Sequence, residues 1–68
     1  MSAYKAQIDA IRSLLPEFNQ EEEEQISDIL QDCISSQDAA TEICDLFIIP
    51  RRTNRTPISD ALKAAGYN

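Results

Sequence analysis

The hydrophobic residues of this chain recur at spacings of three and four positions, which is the pattern of amphipathic helices. The first stripe consists of Tyr4, Ile8, Ile11 and Leu15. Pro16 ends this segment, because proline lacks a backbone N–H and forces the residue before it out of the helical conformation. The spacing therefore predicts a first helix near residues 3–15.

The second helix has the best-marked start signal in the sequence. Asn19 can serve as the N-cap, and Glu22, three positions later, can accept from the backbone N–H of Asn19 in a capping box. The predicted buried face consists of Ile26, Ile29, Leu30, Cys33 and Ile34. This pattern predicts a helix near residues 20–34 with acidic residues on its opposite side.

The third helix is predicted near residues 37–49, where Ser35 or Ser36 provides the cap. Its predicted buried face consists of Ala40, Ile43, Cys44, Phe47 and Ile48. Leu46 and Ile49 widen this face, so the C-terminal half of the helix is apolar on most sides. Leu46, Phe47 and Ile49 are therefore either part of the core or an apolar interface, because so short a chain has little material to cover a helix on every side.

After the third helix, Pro50 opens an eight-residue connection that ends at Pro57 and carries the one basic cluster of the chain. The basic cluster consists of Arg51, Arg52 and Arg55. Thr56 and Pro57 fit the N-cap and first position of a short fourth helix near residues 57–65. Its predicted inward face consists of Ile58, Ala61, Leu62 and Ala65. Gly66 fits the left-handed position that closes a helix, with Tyr67 against Leu62.

Together these segments predict one all-α domain, a small bundle of three main helices with a short C-terminal fourth helix. A single core of 68 residues rarely contributes more than roughly 3–5 kcal/mol of stability, so we expect a homodimer.

Charge is sorted along the chain, whose formal net charge is −6. The stretch from Glu17 to Asp45 holds ten acidic residues and no basic one. The dipole of the second helix favours the run from Glu21 to Glu24 at its N-terminus but does not explain the acids farther along. The candidate partner-binding face consists of Glu21, Glu24, Asp28, Asp32, Asp38, Glu42 and Asp45.

Catalytic and metal-binding patterns are absent from the sequence, so we expect no enzyme and no cofactor. The chain has no His, and acid–base chemistry would fall to carboxylates or Lys63. Cys33 and Cys44 are not spaced as a metal or redox motif, and they are either buried free thiols or a disulfide between two helices. No apolar run approaches the ~18 residues of a membrane span and no signal peptide is evident, so we expect a cytoplasmic protein without membrane contact.

Three functions fit this chain. We favour a small interaction module, a regulator or inhibitor that binds a larger protein through the acidic helical face. The alternative is an acidic mimic of nucleic acid, whose carboxylates replace phosphates and block a nucleic-acid-binding protein. A third reading, nucleic-acid binding by a dimer through Arg51, Arg52 and Arg55, is opposed by the negative charge of the chain, so direct nucleic-acid binding is not expected. The same arginines could instead pair with acids of the second or third helix, or of a second subunit.

Overall fold

The protein is all-helical, which confirms the predicted fold class. The computed structural model describes residues 3–68, and within this range it contains four α-helices and no β-strand. They are α1 (Lys5–Ile11), which continues into a 3₁₀ helix (Arg12–Leu14), α2 (Gln20–Asp32), α3 (Ser36–Phe47) and α4 (Arg51–Ala64).

The core is built from the hydrophobic stripes of all four helices. Its buried residues are Ile8, Ile11, Leu15, Ile26, Leu30, Ala39, Ala40, Ile43, Cys44, Ile58 and Leu62. All of these except Ala39 lie on the faces that the residue spacing predicts. The spacing of apolar residues therefore locates the buried side of every helix.

Side-chain contacts at the helix ends fix how neighbouring helices run. Ser59 Oγ in α4 lies 3.1 Å from Ser36 Oγ at the start of α3, while Arg51 at the start of α4 pairs with Asp45 near the end of α3. Near the start of α1, Gln7 Nε2 donates to the carbonyl of Ala65 just after α4, at 2.7 Å. Helix α4 is therefore antiparallel to α3, and the end of α4 lies against the start of α1.

The predicted start of α2 is confirmed. The backbone N–H of Glu22 donates to Asn19 Oδ1 at 2.9 Å, and the N–H of Asn19 donates to Glu22 Oε1 at 3.1 Å, which completes the capping box. Ser35 caps α3 in a similar way, since its Oγ accepts from the N–H of Asp38 at 3.2 Å.

Two isoleucines that the stripes predict to be buried are exposed, because α2 and α3 end earlier than predicted. Helix α2 ends at Asp32, and Cys33 is extended (ψ 147°) so that the chain can turn toward the cap at Ser35. Ile34 is consequently 85% exposed. Helix α3 ends at Phe47, and the next residue, Ile48, is left-handed and 92% exposed. The predicted inward orientation of Ile34 and Ile48 is wrong.

The fourth helix is longer than predicted and begins at Arg51 instead of Pro57. It has 14 residues, so it is the longest of the four helices in the described range, and the basic cluster lies on its first turns instead of in a loop. Pro57 is inside the helix, where it leaves the carbonyl of Thr53 without its usual N–H partner. Thr53 and Pro57 are both exposed, so water can satisfy this carbonyl. The proline is therefore tolerated, and the sequence signal for a helix start at this position is misleading.

The end of α4 is closed as predicted. Gly66 is left-handed (φ 93°), and its N–H donates to the carbonyl of Lys63 at 3.0 Å. The N–H of Tyr67 donates to the carbonyl of Leu62 at 2.9 Å, which completes the Schellman pair of hydrogen bonds.

Tyr67 then joins this end to α2. Its hydroxyl lies 2.7 Å from the carbonyl oxygen of Leu30 and 2.8 Å from that of Cys33, and it donates its hydrogen to this pair of acceptors. The carbonyl of Leu30 belongs to the last turn of α2, where the helix itself supplies no donors, and the carbonyl of Cys33 lies just after the helix end. The side chain of Tyr67 therefore donates a hydrogen bond at the end of α2, while its backbone N–H closes the end of α4.

Tyr67→Phe is expected to lower the free energy of unfolding by about 1–2 kcal/mol, because the α2 carbonyls lose a partly buried donor. The substitution should also change the alkaline pH dependence. Burial, followed by the nearby Cys33, Tyr4 and Asp38, raises the pKa of Tyr67 above its ordinary value of 10.0.

Since the folded state holds the phenol proton more tightly than the unfolded chain, this contribution is complete below pH 10.0 and is lost as the pH rises through the raised pKa. Urea unfolding of the wild type and of Tyr67→Phe at several alkaline pH values checks this. Cys33 and Cys44 titrate in both proteins, so the difference between the two free energies of unfolding reports Tyr67 alone. A difference that stays constant with pH would contradict the assignment.

Candidate protein-interaction surface

Seven acidic side chains of α2 and α3 are exposed, and together we call them the acidic face. Its members, all exposed, are Glu21, Glu24, Asp28 and Asp32 on α2 and Asp38, Glu42 and Asp45 on α3. The α2 carboxylates project away from the side of the helix that buries Ile26 and Leu30, which is why helical periodicity separates them from the core. The predicted exposure of every member is therefore correct.

Of the four consecutive glutamates at the start of α2, two form contacts that stabilise the fold and two form no ion pair among residues 3–68. Glu22 completes the capping box, and Glu23 Oε1 lies 3.9 Å from Nη2 of Arg12. Neither Glu21 nor Glu24 forms an ion pair within residues 3–68. Helix initiation and one ion pair thus account for half of the run.

Basic side chains neutralise very little of the acidic face. The ion pairs in the described part of the chain join Lys5 to Asp9, Arg12 to Asp9 and Glu23, and Arg51 to Asp45. Asp45 is therefore the one member of the acidic face with a basic partner among those residues. On α2, Glu24, Asp28 and Asp32 follow one another at four-residue intervals, and each neighbouring pair repels by a few tenths of a kcal/mol.

Cys33 lies in the corner between α2 and α3. Burial raises the pKa of this half-buried thiol, and the charges of Glu42, Asp38 and Asp32 raise it further, in that order. Carboxylates of both helices thus raise the pKa of the same thiol. Cys33 and Cys44 are free thiols, and burial also raises the pKa of Cys44. Both are held in the less reactive protonated form.

A groove of about 540 Å³ lies between the start of α1 and the exposed side of α2. It is lined by Ala3, Tyr4, Gln20, Glu23, Glu24, Ser27, Asp28 and Gln31. Two members of the acidic face, Glu24 and Asp28, thus border a recess with an aromatic wall. Sequence reasoning missed this groove, because it forms only when α1 packs beside α2.

The basic cluster is divided by the structure. Arg51 hydrogen-bonds to Asp45, and this bond raises the pKa of the guanidinium. The predicted pairing with an acid of the third helix is therefore correct for Arg51. Arg52 and Arg55 are exposed and form no ion pair in the range 3–68.

The three candidate interface residues at the end of α3 are partly buried. Leu46, Phe47 and Ile49 all pack against the core, and the ring of Phe47 lies 5.8 Å from that of Phe18. The guanidinium of Arg12 covers the Phe18 ring at 4.6 Å. This end of α3 therefore belongs largely to the fold, and Ile48 is its exposed apolar residue.

Other kinds of site find little support in the described structure. Within residues 3–68, no group of three or more His, Cys, Asp or Glu side chains is arranged to hold a metal ion. None of the helices in that range has the length and apolar character needed to cross a membrane. No protein-family model, curated protein or solved structure matches the chain.

Proposed function

We propose that this protein is a small interaction module, a regulator or inhibitor that binds a basic surface of a larger protein through its acidic face. The observation that carries the proposal is that six of the seven carboxylates on this face are exposed and lack a basic partner in the described structure. Complementary charge on another molecule would neutralise them and guide the encounter.

The energetics of α2 support the same proposal. Neighbouring carboxylates at four-residue intervals destabilise a helix, and the caps and buried stripe of α2 do not require Asp28 or Asp32. Charges that weaken the fold and contribute nothing to the core are expected where a partner uses them.

The groove beside α2 suggests how the partner is held. A Lys or Arg side chain that enters it would meet Glu24 and Asp28 along one wall, while its aliphatic part lies against Tyr4. A recess shields such a pair from part of the surrounding water, which makes it stronger than an ion pair on a flat surface.

The test compares two triple variants that carry the same net charge. The face variant, Glu24→Gln, Asp28→Asn and Asp32→Asn, removes three charges from the acidic face. The control variant, Asp9→Asn, Glu17→Gln and Asp60→Asn, removes three exposed charges from elsewhere. A partner captured from the native host lysate at low salt is identified and titrated with each protein at two salt concentrations.

The wild type and the control variant are expected to bind alike, and binding should weaken steeply with salt. The face variant should bind at least ~10-fold more weakly while its free energy of unfolding rises by a few tenths of a kcal/mol, because helix repulsion is relieved. Equal loss of affinity in both variants would show that net charge, and not this face, determines binding.

The nucleic-acid mimic is a special case of the same proposal. Its supporting feature is that two successive helices each carry exposed carboxylates, four on α2 and three on α3. If the captured partner binds nucleic acid, an oligonucleotide should compete with the protein for it. Binding that persists in saturating oligonucleotide would restrict the proposal to the regulator.

A further inference from the structure

A second recess, of about 80 Å³, lies where the first turn of α3 meets the middle of α4, and we call it the α3–α4 recess. Its lining residues are Gln37, Arg55, Thr56, Ser59, Asp60 and Lys63. None of them belongs to the acidic face. Pockets for whole small molecules usually measure about 300–1,000 Å³, so this recess has room for one small chemical group.

The least exposed residue of the α3–α4 recess is Ser59, with 4% of its surface exposed. Its Oγ lies 3.1 Å from Oγ of the buried Ser36, and neither hydroxyl forms another hydrogen bond among residues 3–68. Two hydroxyl groups carry two donor hydrogens, and the bond between them uses only one. The serine pair therefore keeps a donor for a third group, and the recess gives such a group access to Ser59.

Two basic side chains of α4 line the same recess. Arg55 and Lys63 are exposed, and neither forms an ion pair in the range 3–68. The first turn of α3 adds partial positive charge, because the first N–H groups of a helix have no acceptor within it. Asp60 is the one acid among the six lining residues, so the recess has a positive balance within an acidic protein.

We propose that the α3–α4 recess binds a phosphate group, either the free ion or a monoester of a small molecule. A phosphate group carries about −1.5 to −2 charge at pH 7 and at least three strong acceptor oxygens. Arg55 and Lys63 supply the opposite charge, and the Gln37 amide and the hydroxyls of Thr56 and Ser59 supply further donors. A carboxylate has only two oxygens and one charge, so it would leave part of this donor set unused.

The rest of the chain restricts the molecule that carries the phosphate. The net charge of −6 repels a polyanion such as nucleic acid, whereas a single phosphate group interacts mainly with the recess itself. Asp60 lowers the affinity for every anion, so its removal should be felt directly in binding. The inference is independent of the proposed function, because the recess and the acidic face share no residue.

Titration of the isotopically labelled protein with inorganic phosphate, at constant ionic strength in chloride buffer, tests the site through its amide NMR signals. Saturable shifts are expected at Gln37, Ser59 and their neighbours. A second titration with glycerol phosphate distinguishes the two sources, since tighter binding of the ester would assign the recess to a phosphorylated small molecule and tighter binding of inorganic phosphate to the free ion. Acetate should bind at least ~3-fold more weakly than either, because it offers fewer acceptor oxygens.

Three variants with exposed substitutions test which charges act. Arg55→Gln with Lys63→Gln should weaken phosphate binding by ~10-fold or more, because two charge-assisted hydrogen bonds are lost. The control, Lys5→Gln with Arg52→Gln, removes the same charge outside the recess and should change the affinity by less than ~3-fold. Asp60→Asn should strengthen binding by ~3-fold or more, because it removes the repulsive charge.

Each of four results would overturn the proposal: phosphate shifts that do not saturate, acetate binding as tight as phosphate binding, equal weakening by the recess variant and its control, or weaker binding after Asp60→Asn. None of these measurements involves a protein partner, so this proposal and the proposed function fail separately.

Discussion

Ile43→Ala is expected to lower the free energy of unfolding by about 3 kcal/mol, because it removes buried methyl and methylene groups and leaves a cavity that the helices cannot fully close. Ile43 is completely buried in the middle of α3, the helix that packs on both α2 and α4. A core of this size stabilises the fold by roughly 3–5 kcal/mol, so most of the stability would be lost. The melting temperature should fall by roughly 10–25 °C, as measured by circular dichroism.

Ile34→Ala is the matched control, since it deletes the same atoms from a side chain that is 85% exposed. It should change the free energy of unfolding by no more than about 0.5 kcal/mol. If Ile43→Ala leaves too little folded protein to melt, Ile43→Val should lower the stability by about 1 kcal/mol and keep the transition measurable. Equal effects at positions 43 and 34 would contradict the described core.

The pattern that predicts Ile43 inside also predicts Ile34 and Ile48 inside, and there it fails for a physical reason. Periodicity reports which side of a helix is apolar, but it does not report where the helix ends. The ends are set by competing hydrogen bonds. Examples are the N-cap at Ser35 and the bond that the hydroxyl of Tyr67 donates to the carbonyl of Cys33. Tyr67 lies 34 residues from Cys33, so no local pattern contains this contact.

At the candidate site, too, the sequence predicts what depends on local spacing and misses what depends on packing between distant segments. Exposure of the acidic face follows from the spacing of its residues relative to the buried stripe, and the sequence predicts it correctly. The groove and the division of the basic cluster require the packing of α1 on α2 and the close approach of α3 and α4. Only a folded chain can separate Arg51, which is paired, from Arg52, which forms no ion pair among residues 3–68.

Three surface features of the protein oppose local stability. Acids repel one another along α2, arginines occupy the N-terminal turn of α4 where the helix dipole disfavours positive charge, and Ile48 adopts a left-handed conformation. Local rules are most often broken where a protein meets another molecule. All three features are exposed, and the acids of α2 belong to the acidic face, the surface that we propose binds a partner.

Pro57→Ala is expected to raise the free energy of unfolding by about 2 kcal/mol, which corresponds to roughly 10 °C in melting temperature. Pro57 is the seventh residue of α4, and its ring takes the place of the N–H that would bond to the carbonyl of Thr53. Proline inside a helix costs about 3 kcal/mol relative to alanine. Alanine also has more conformational entropy in the unfolded chain, which reduces the gain in stability by up to about 1 kcal/mol. Pro57 is exposed, so its removal takes little packing from the core.

The neighbouring Thr56→Ala is the control for this experiment, since Thr56 is exposed on the same turn and its replacement should change the stability by no more than about 0.5 kcal/mol.

The substitution at Pro57 also discriminates between two starts for α4. If the helix began at Pro57, as the Thr-Pro pair suggests, proline would be at its preferred first position and alanine would bring no gain. Amide hydrogen exchange of residues 54–56 gives an independent measure, because helical N–H groups in this segment should become better protected once the bond to Thr53 is restored. An unchanged melting temperature with unprotected amides would place the start of α4 at Pro57 and return Arg51, Arg52 and Arg55 to a loop.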